Sequence, residues 1–370
     1  MFIRIVLFAF CFANVCWAQD AEQPKRFKHE KHGAIVFATG KDYKIKCDIY
    51  RPIADEPRPV MLAIHGGAWT TGTKFAMLRH ARILANRGYV VMSINYRLAP
   101  QYKWPAQIHD CKHAVRWIRE HAAKYNADPD RVYAFGYSAG GHLAAMLATT
   151  NVDDGLEGEV EEPYAKHSSR IDGLIAGGSP MEFSWLDDES TVLKHWMNGT
   201  KKSTPETYAQ ASPAKFVTAD DPVAVLYHGR ADSLVPVSSP ETFIERCQAE
   251  NIPAELILST DGHTGAFGRT GLLIESLQKL ESMLAVRNCK HKMTQIVEWM
   301  NQFHKANGRK PASFEELAKF VLRTEKVSAE NFAIAINNER DGQNFVVRWG
   351  EGDGPWVTEA IGVDGKKLSK

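Results

Sequence analysis

Ser138, Asp232 and His263 are the three side chains of this 370-residue chain whose types and order could move an acyl group. Ser138 sits in Gly136-Tyr137-Ser138-Ala139-Gly140, a G-x-S-x-G arrangement between an apolar run and a stretch of helix formers. A serine hydroxyl is a weak nucleophile until a base takes its proton and donors face the oxyanion. In this arrangement a tight strand-to-helix turn presents the hydroxyl, and small flanking residues allow close approach. An ordinary glycine-rich turn with a solvated serine can carry the same five residues, so the rest of the chain has to decide. Asp232 follows the apolar run Val223–Gly229, and His263 lies in a glycine-flanked segment after the next run. The order Ser, Asp, His, each beyond the end of a predicted strand, is one of the few orders in which such a triad is built.

An independent stretch supplies the remaining part. The early apolar run Val60–Ile64 ends in His65-Gly66-Gly67-Ala68-Trp69. A loop of this kind can aim the N–H groups of Gly67 and Ala68 at an oxyanion, and the N–H of Ala139, next to the nucleophile, adds a third donor. Trp69 directly follows that loop and is the candidate to touch substrate. Trp104, Trp185 and Trp196 read as packing residues.

Competing residues fit less well. Asp220 and Asp221 precede their strand, and Asp261 shares a loop with His263, so surface or turn roles suit them better. His228 reads as a packed or hydrogen-bonded histidine at a strand end, His142 as packing behind the nucleophile helix, and His65 as an organiser of its own loop. His109 and His113 imitate the H-E-x-x-H zinc spacing, but Asp110 replaces the glutamate and no third ligand is evident. The expected chemistry therefore needs no metal and no cofactor.

The elements that would hold these groups alternate. Strand-like runs at Tyr43–Tyr50, Val60–Ile64, Tyr89–Tyr96, Val132–Tyr137, Gly173–Gly177, Val223–Gly229 and Ala254–Ser259 are separated by helical patterns at Ala76–Arg87 and Ala106–Lys124, after Ser138, from Pro240, and over Ile274–Leu284. Alternation of this kind predicts an α/β fold, a mostly parallel sheet covered on both faces, with reactive groups at the carboxyl ends of the strands. His29-Glu30-Lys31-His32 reads as a charged tail, and the acidic stretch Gly155–Pro163 as a solvated loop. Beyond about Arg287 the pattern changes to two amphipathic helices and three short strands with Asp-Gly turns, a small α+β module. The expected organisation is a signal peptide over 1–18, an extension over 19–33, a catalytic domain over 34–286, and the helix-plus-meander module over 291–370.

The segments HGGAWTTGTK, SINYRLAPQYKWPAQIHD, DPDRVYAFGYSAGGHLAAML and HGRADSLVP together resemble the hormone-sensitive-lipase/carboxylesterase branch of the α/β-hydrolases. Within it they are most similar to small bacterial esterases of the feruloyl and acetyl-xylan esterase-like kind. The resemblance covers about Ala34–Val286 and implies an α/β-hydrolase fold, a serine acyl-enzyme mechanism and ester substrates. Two departures stand out. Ala68 occupies a position where many lipases have glycine, a change a backbone donor tolerates, and the segment before the first strand is too short for the helical cap of many relatives.

Bulk properties narrow the setting. The 45 basic and 44 acidic side chains are balanced, which argues against nucleic acid or an anionic surface as a partner. Arg4, an apolar run and small residues ending at Ala18 predict export, hence a secreted or periplasmic protein without an integral membrane segment. Cys47, Cys111, Cys247 and Cys289 then remain, with three full disulfide pairings open. The reading is an exported serine esterase acting on short esters, free or linked to polysaccharide, with the C-terminal module as the part available to another protein. An exopeptidase on the same fold and a non-catalytic hydrolase-fold binding protein are the alternatives. The first has no room for the propeller such peptidases carry, and the second does not need a complete set of catalytic positions.

Overall fold

The structure, a computed structural model, describes residues 26–309, 311, 316–317, 319–321, 344–348 and 357–361. The expected signal peptide lies outside the described residues. In chain order the elements are β1 (His29–Thr39), β2 (Lys44–Pro52), β3 (Arg58–Ile64), α1 (Leu78–Asn86), β4 (Val90–Ile94), α2 (Ala106–Glu120), β5 (Ala127–Tyr137), α3 (Ala139–Thr149), β6 (Gly173–Gly177), α4 (Lys194–Met197), α5 (Pro205–Gln210), β7 (Val223–Gly229), α6 (Ser238–Ala249), β8 (Ala254–Ser259), α7 (His263–Gly268), α8 (Thr270–Asn307), β9 (Asn344–Arg348) and β10 (Val357–Ile361).

Eight strands form one sheet in the order β1-β2-β4-β3-β5-β6-β7-β8. The β1–β2 and β2–β4 pairs are antiparallel and all the others parallel. Side chains alternate across a strand, so a strand buried on both faces has to be apolar throughout. In β3, Val60, Leu62 and Ile64 join the core under α2, α3 and α6, whereas Met61 and Ala63 face the core under α1, α7 and α8. This sandwich fixes the carboxyl ends of β3, β5, β7 and β8 along one edge.

Four expectations need correction. His29–His32 is the start of β1, so the sheet begins before residue 34. As an edge strand with few buried positions, β1 has no apolar alternation to betray it, and its charges are paired, Lys31 with Asp48 at 2.8 Å and Arg51 with Glu30 at 2.5 Å. The acidic loop also turns one side chain inward. Glu157 binds the covered ammonium of Lys112 at 2.7 Å, the Ser169 hydroxyl at 2.7 Å, and Arg116. His263 opens a short helix instead of lying in a loop. Finally, α8 runs without a break through the boundary drawn at 287–290.

Of the three strands expected in the tail, β9 and β10 pair as an antiparallel hairpin, and the first, Asn331–Ile336, lies outside the described residues. Cys47, Cys111 and Cys247 are buried free thiols, and Cys289 is outside the described side chains. Among the described residues no helix is long and apolar enough to cross a membrane.

Candidate active site

Ser138 joins β5 to α3 at φ 56° and ψ −126°, a conformation that an L-residue with a Cβ occupies only under restraint. The restraint is visible in the backbone. Ser138 N–H donates to Gly177 O at 2.8 Å, and His142 N–H donates to Ser138 O at 3.0 Å. A Cβ at Gly140 would collide with the carbonyl oxygens of Ile64 and His65, so only glycine lets α3 start this close to β3. The residue itself remains partly exposed.

Two residues predicted from spacing meet at the far side of the same edge. His263 Nδ1 lies 2.6 Å from Asp232 Oδ2. The other oxygen of Asp232 accepts the N–H groups of Leu234 at 2.9 Å and Val235 at 3.0 Å. Burial pushes this carboxyl up, but the bonds from His263, Val235 and Leu234 outweigh it and hold it below the usual aspartate value. The loops carrying the two residues are laced together by Arg230 N–H to Ser259 O at 2.8 Å and Ala231 N–H to Asp261 O at 3.1 Å. Tyr137, the residue before Ser138, donates its hydroxyl to His263 O and sets its ring 5.2 Å from the imidazole. Thus β5 grips the start of α7. Among the described residues the Ser138 hydroxyl makes no hydrogen bond to the imidazole, a contact that commonly tightens only when substrate is bound.

The loop after β3 closes on the serine. A Cβ at Gly66 would stand 2.8 Å from Tyr137 O and 3.2 Å from Ser138 Cβ, so the two turns touch. Gly67, Ala68 and Trp69 follow at φ 120°, 50° and 61°. Thr70 and Thr71 donate N–H to Gly67 O, but among the described residues the N–H groups of Gly67 and Ala68 serve no carbonyl. Ala139 opens α3, where an N–H has no partner within the helix. Three N–H groups without a partner among the described residues therefore lie on the two turns that meet at Gly66 and Ser138.

Trp69, the candidate to touch substrate, is almost fully covered. It is 3 % exposed, its indole lies flat on Trp196 with centroids 3.6 Å apart, and it forms a floor under the turn. Sequence neighbours could not reveal a ring 127 positions away.

The competing residues have other partners. Asp220 and Asp221 bind Arg170, and Asp261 binds Arg269 at 2.8 Å. His65 stacks on Tyr96 and contacts Gly66 O at 2.7 Å, and His142 contacts Ala211 O at 2.6 Å. Burial lowers both to about 4, so both imidazoles are uncharged at neutral pH and donate their single N–H to these carbonyls. His228, wholly covered, is the packed and hydrogen-bonded histidine its place at a strand end implies: it sits 2.9 Å from Val235 O and 3.4 Å from Asp232 Oδ2, a second brace on the aspartate loop whose partner the sequence does not reveal. His113 contacts Phe37 O at 3.0 Å, and among the described residues no cluster of three metal-binding side chains exists.

A mostly parallel sheet whose strand ends carry a strained serine, a carboxylate-held histidine and unpaired N–H groups defines an α/β-hydrolase. Comparison with known proteins agrees. The chain belongs to the BD-FAE family, whose pattern matches residues 47–246. It is 34% identical over 202 residues to the probable carboxylic ester hydrolase LipM of Mycobacterium tuberculosis, covering 51% of this chain and 44% of that protein. The truncated form of a carbohydrate esterase from gut microbiota shares 25% identity at TM-score 0.64, covering 71% of this chain and 98% of that one. Esterase 2 of Thermogutta terrifontis, in a structure phosphorylated by paraoxon, shares 25% at TM-score 0.55, with coverage of 70% and 92%. The chain spans about half the length of the curated relatives it matches first.

Proposed function

We propose that this protein is a serine esterase that hydrolyses short-chain carboxylic esters, including acetyl or feruloyl groups on polysaccharide. The observation that carries the reading is the 2.6 Å His263–Asp232 pair on the same sheet edge as the strained Ser138. His263, oriented by Asp232, takes the proton of Ser138 as its Oγ attacks the ester carbonyl. The N–H groups of Gly67, Ala68 and Ala139 bind the oxyanion as the tetrahedral intermediate forms. On collapse His263 returns the proton to the departing alcohol, and water attacks the acyl-enzyme by the same route. Residues 1–18, read as a signal peptide, would deliver the enzyme outside the cytoplasm.

The substrate size proposed here is supported by the polar character of the segment inserted between β6 and β7. The segment between β6 and β7 carries Asp187, Asp188, Glu189, Lys194, Lys201 and Lys202, and among the described residues after 152 Val192 and Leu234 are the large apolar side chains that are well exposed. A long acyl chain needs apolar cover, at about 0.8 kcal/mol per buried methylene. Such a surface suits small or hydrated esters.

The test is a series of p-nitrophenyl esters run beside acetylated xylan and methyl ferulate, with an organophosphonate to label the nucleophile. The expected result is a kcat/KM maximum between acetyl and butyryl and a single label on Ser138. A maximum at decanoyl or longer with activation at an oil–water interface would overturn the substrate reading. A label elsewhere would overturn the mechanism.

A further inference from the structure

We propose that Trp196, in the segment inserted between β6 and β7, is a positioning residue for the oxyanion turn and acts on it through Trp69. The inference rests on the assignment of Gly67 and Ala68 as oxyanion donors. Ala68 and Trp69 are consecutive non-glycine residues in the left-handed region, and such a pair persists only where its surroundings leave no alternative. On the backbone side Trp69 O accepts from Ala99 N–H at 2.9 Å. On the side-chain side the indole N–H of Trp69 has no partner among the described residues, so ring packing alone orients it. The largest ring surface it meets is Trp196, 3.6 Å away and tilted by 6°.

Trp196 is itself held from three directions. Its indole N–H donates to Gln107 Oε1 at 3.0 Å, and its carbonyl accepts Trp104 N–H at 3.1 Å. Gln107 in turn donates to Tyr102 O at 2.8 Å and Arg97 O at 3.1 Å. His142, one turn into the nucleophile helix, presents its ring edge-on to both indoles, 5.1 Å from Trp69 and 5.5 Å from Trp196. One aromatic cluster therefore spans the oxyanion turn, the nucleophile helix and the inserted segment. A smaller side chain at 196 frees Trp69 to swing into the gap, and the peptide carrying the Ala68 donor moves with it.

Donors aimed at the oxyanion act when charge develops, so their misplacement lowers kcat and leaves ground-state binding nearly unchanged. The experiment measures kcat, KM and melting temperature on p-nitrophenyl acetate for full-length Trp196→Leu, Trp196→Phe, Trp117→Leu and Ser138→Ala. Trp117 is a matched control, a buried indole stacked on His121 at 4.0 Å near the end of α2 that leads into β5, opposite the site. Complete loss of one oxyanion donor typically costs about 10²–10³ in kcat, so partial misplacement in Trp196→Leu should cost about 10- to 100-fold, with KM within about threefold. Trp196→Phe, which keeps an aromatic face, should recover kcat to within about fivefold of the parent, still measurably below it. Trp117→Leu should lower the melting temperature and leave kcat unchanged. If Trp196→Leu does not fold, a Trp196→Phe kcat equal to the parent's overturns the proposal. So does a Trp196→Leu loss confined to KM, or one that Trp117→Leu reproduces. Full turnover in Ser138→Ala overturns the site assignment and this inference with it, whereas loss there beside an unaffected Trp196→Leu overturns the inference alone.

Discussion

Replacing Ser138 by glycine should make the protein more stable than replacing it by alanine. Both changes remove the hydroxyl, so both should abolish turnover, and they differ only at the backbone and the Cβ. At φ 56° and ψ −126° an L-residue is strained by about 1–3 kcal/mol, whereas glycine adopts the conformation freely. Against that relief, glycine gives the unfolded chain extra entropy, roughly 0.5–1 kcal/mol relative to alanine. Losing a half-buried Cβ removes roughly 0.4 kcal/mol, about half the value of a fully buried methylene. With strain near the middle of its range, Ser138→Gly comes out about 1 kcal/mol above Ser138→Ala. For a domain of this size that is roughly 2–4 °C in melting temperature. Thermal unfolding followed by circular dichroism, with denaturant midpoints as a second measure, would resolve it. If Ser138→Gly melts at or below Ser138→Ala, the strain is smaller than the entropy of glycine, and strain at the nucleophile is not a significant cost to this fold.

Three further outcomes are expected. Asp232→Asn should lower kcat by about 10⁴ by favouring the wrong imidazole tautomer, while Asp220→Asn and Asp261→Asn stay close to the parent, and the reverse pattern in an aryl-ester assay would refute the assignment. The melting temperature should fall steeply between pH 6.5 and pH 4. His65 and His142 are held near 4 by burial, so in this window only the unfolded chain takes up their protons. Their contribution is complete above pH 6.5 and is lost towards pH 4, roughly 3 kcal/mol each, and a flat profile over that range would contradict it. Truncation after Arg287 should leave turnover on p-nitrophenyl acetate within about twofold. The α8 side chains that join the sheet core, Leu272, Leu273, Leu277, Leu280 and Leu284, all precede the cut, and a truncated chain that fails to fold would show that the rest of the helix supports the core.

Much of the site can be read in the sequence because its parts are local. The elbow is five consecutive residues, the proposed oxyanion loop another five, and Asp232 and His263 each follow an apolar run that only a buried strand explains. What escaped reading depends on contacts between distant segments. The stack of Trp69 on Trp196, the inward turn of Glu157 toward Lys112 and the second histidine beside Asp232 leave no periodic trace. The edge strand at His29–His32 was hidden for the opposite reason, since an exposed strand with charges on both faces has no apolar alternation to detect. The continuity of α8 was available in principle. No glycine or proline interrupts 272–307, and the shift in composition near 287 does not break the helix.

The distribution of backbone strain is an argument for the site that does not depend on motif matching. Seven non-glycine residues among those described have positive φ. Asn126, Asn198 and Asn251 are the residue type that best tolerates the left-handed region, and each ends a helix or a turn. Ala34 sits at the irregularity in β1, where its N–H donates to Asp48 at 2.9 Å. The other three, Ala68, Trp69 and Ser138, have no such local excuse, and all lie on two turns that touch through Gly66 and Ser138. At roughly 1–3 kcal/mol each, their combined strain is a large share of the 5–15 kcal/mol by which a folded domain is usually stable. Only a scaffold that fixes both turns from outside can hold them there: parallel strands beneath, glycine contacts between, and an aromatic floor below Trp69. Strain gathered so closely around one partly exposed serine is what a preorganised acyl-transfer centre requires, because its donors have to face the oxyanion before the charge exists.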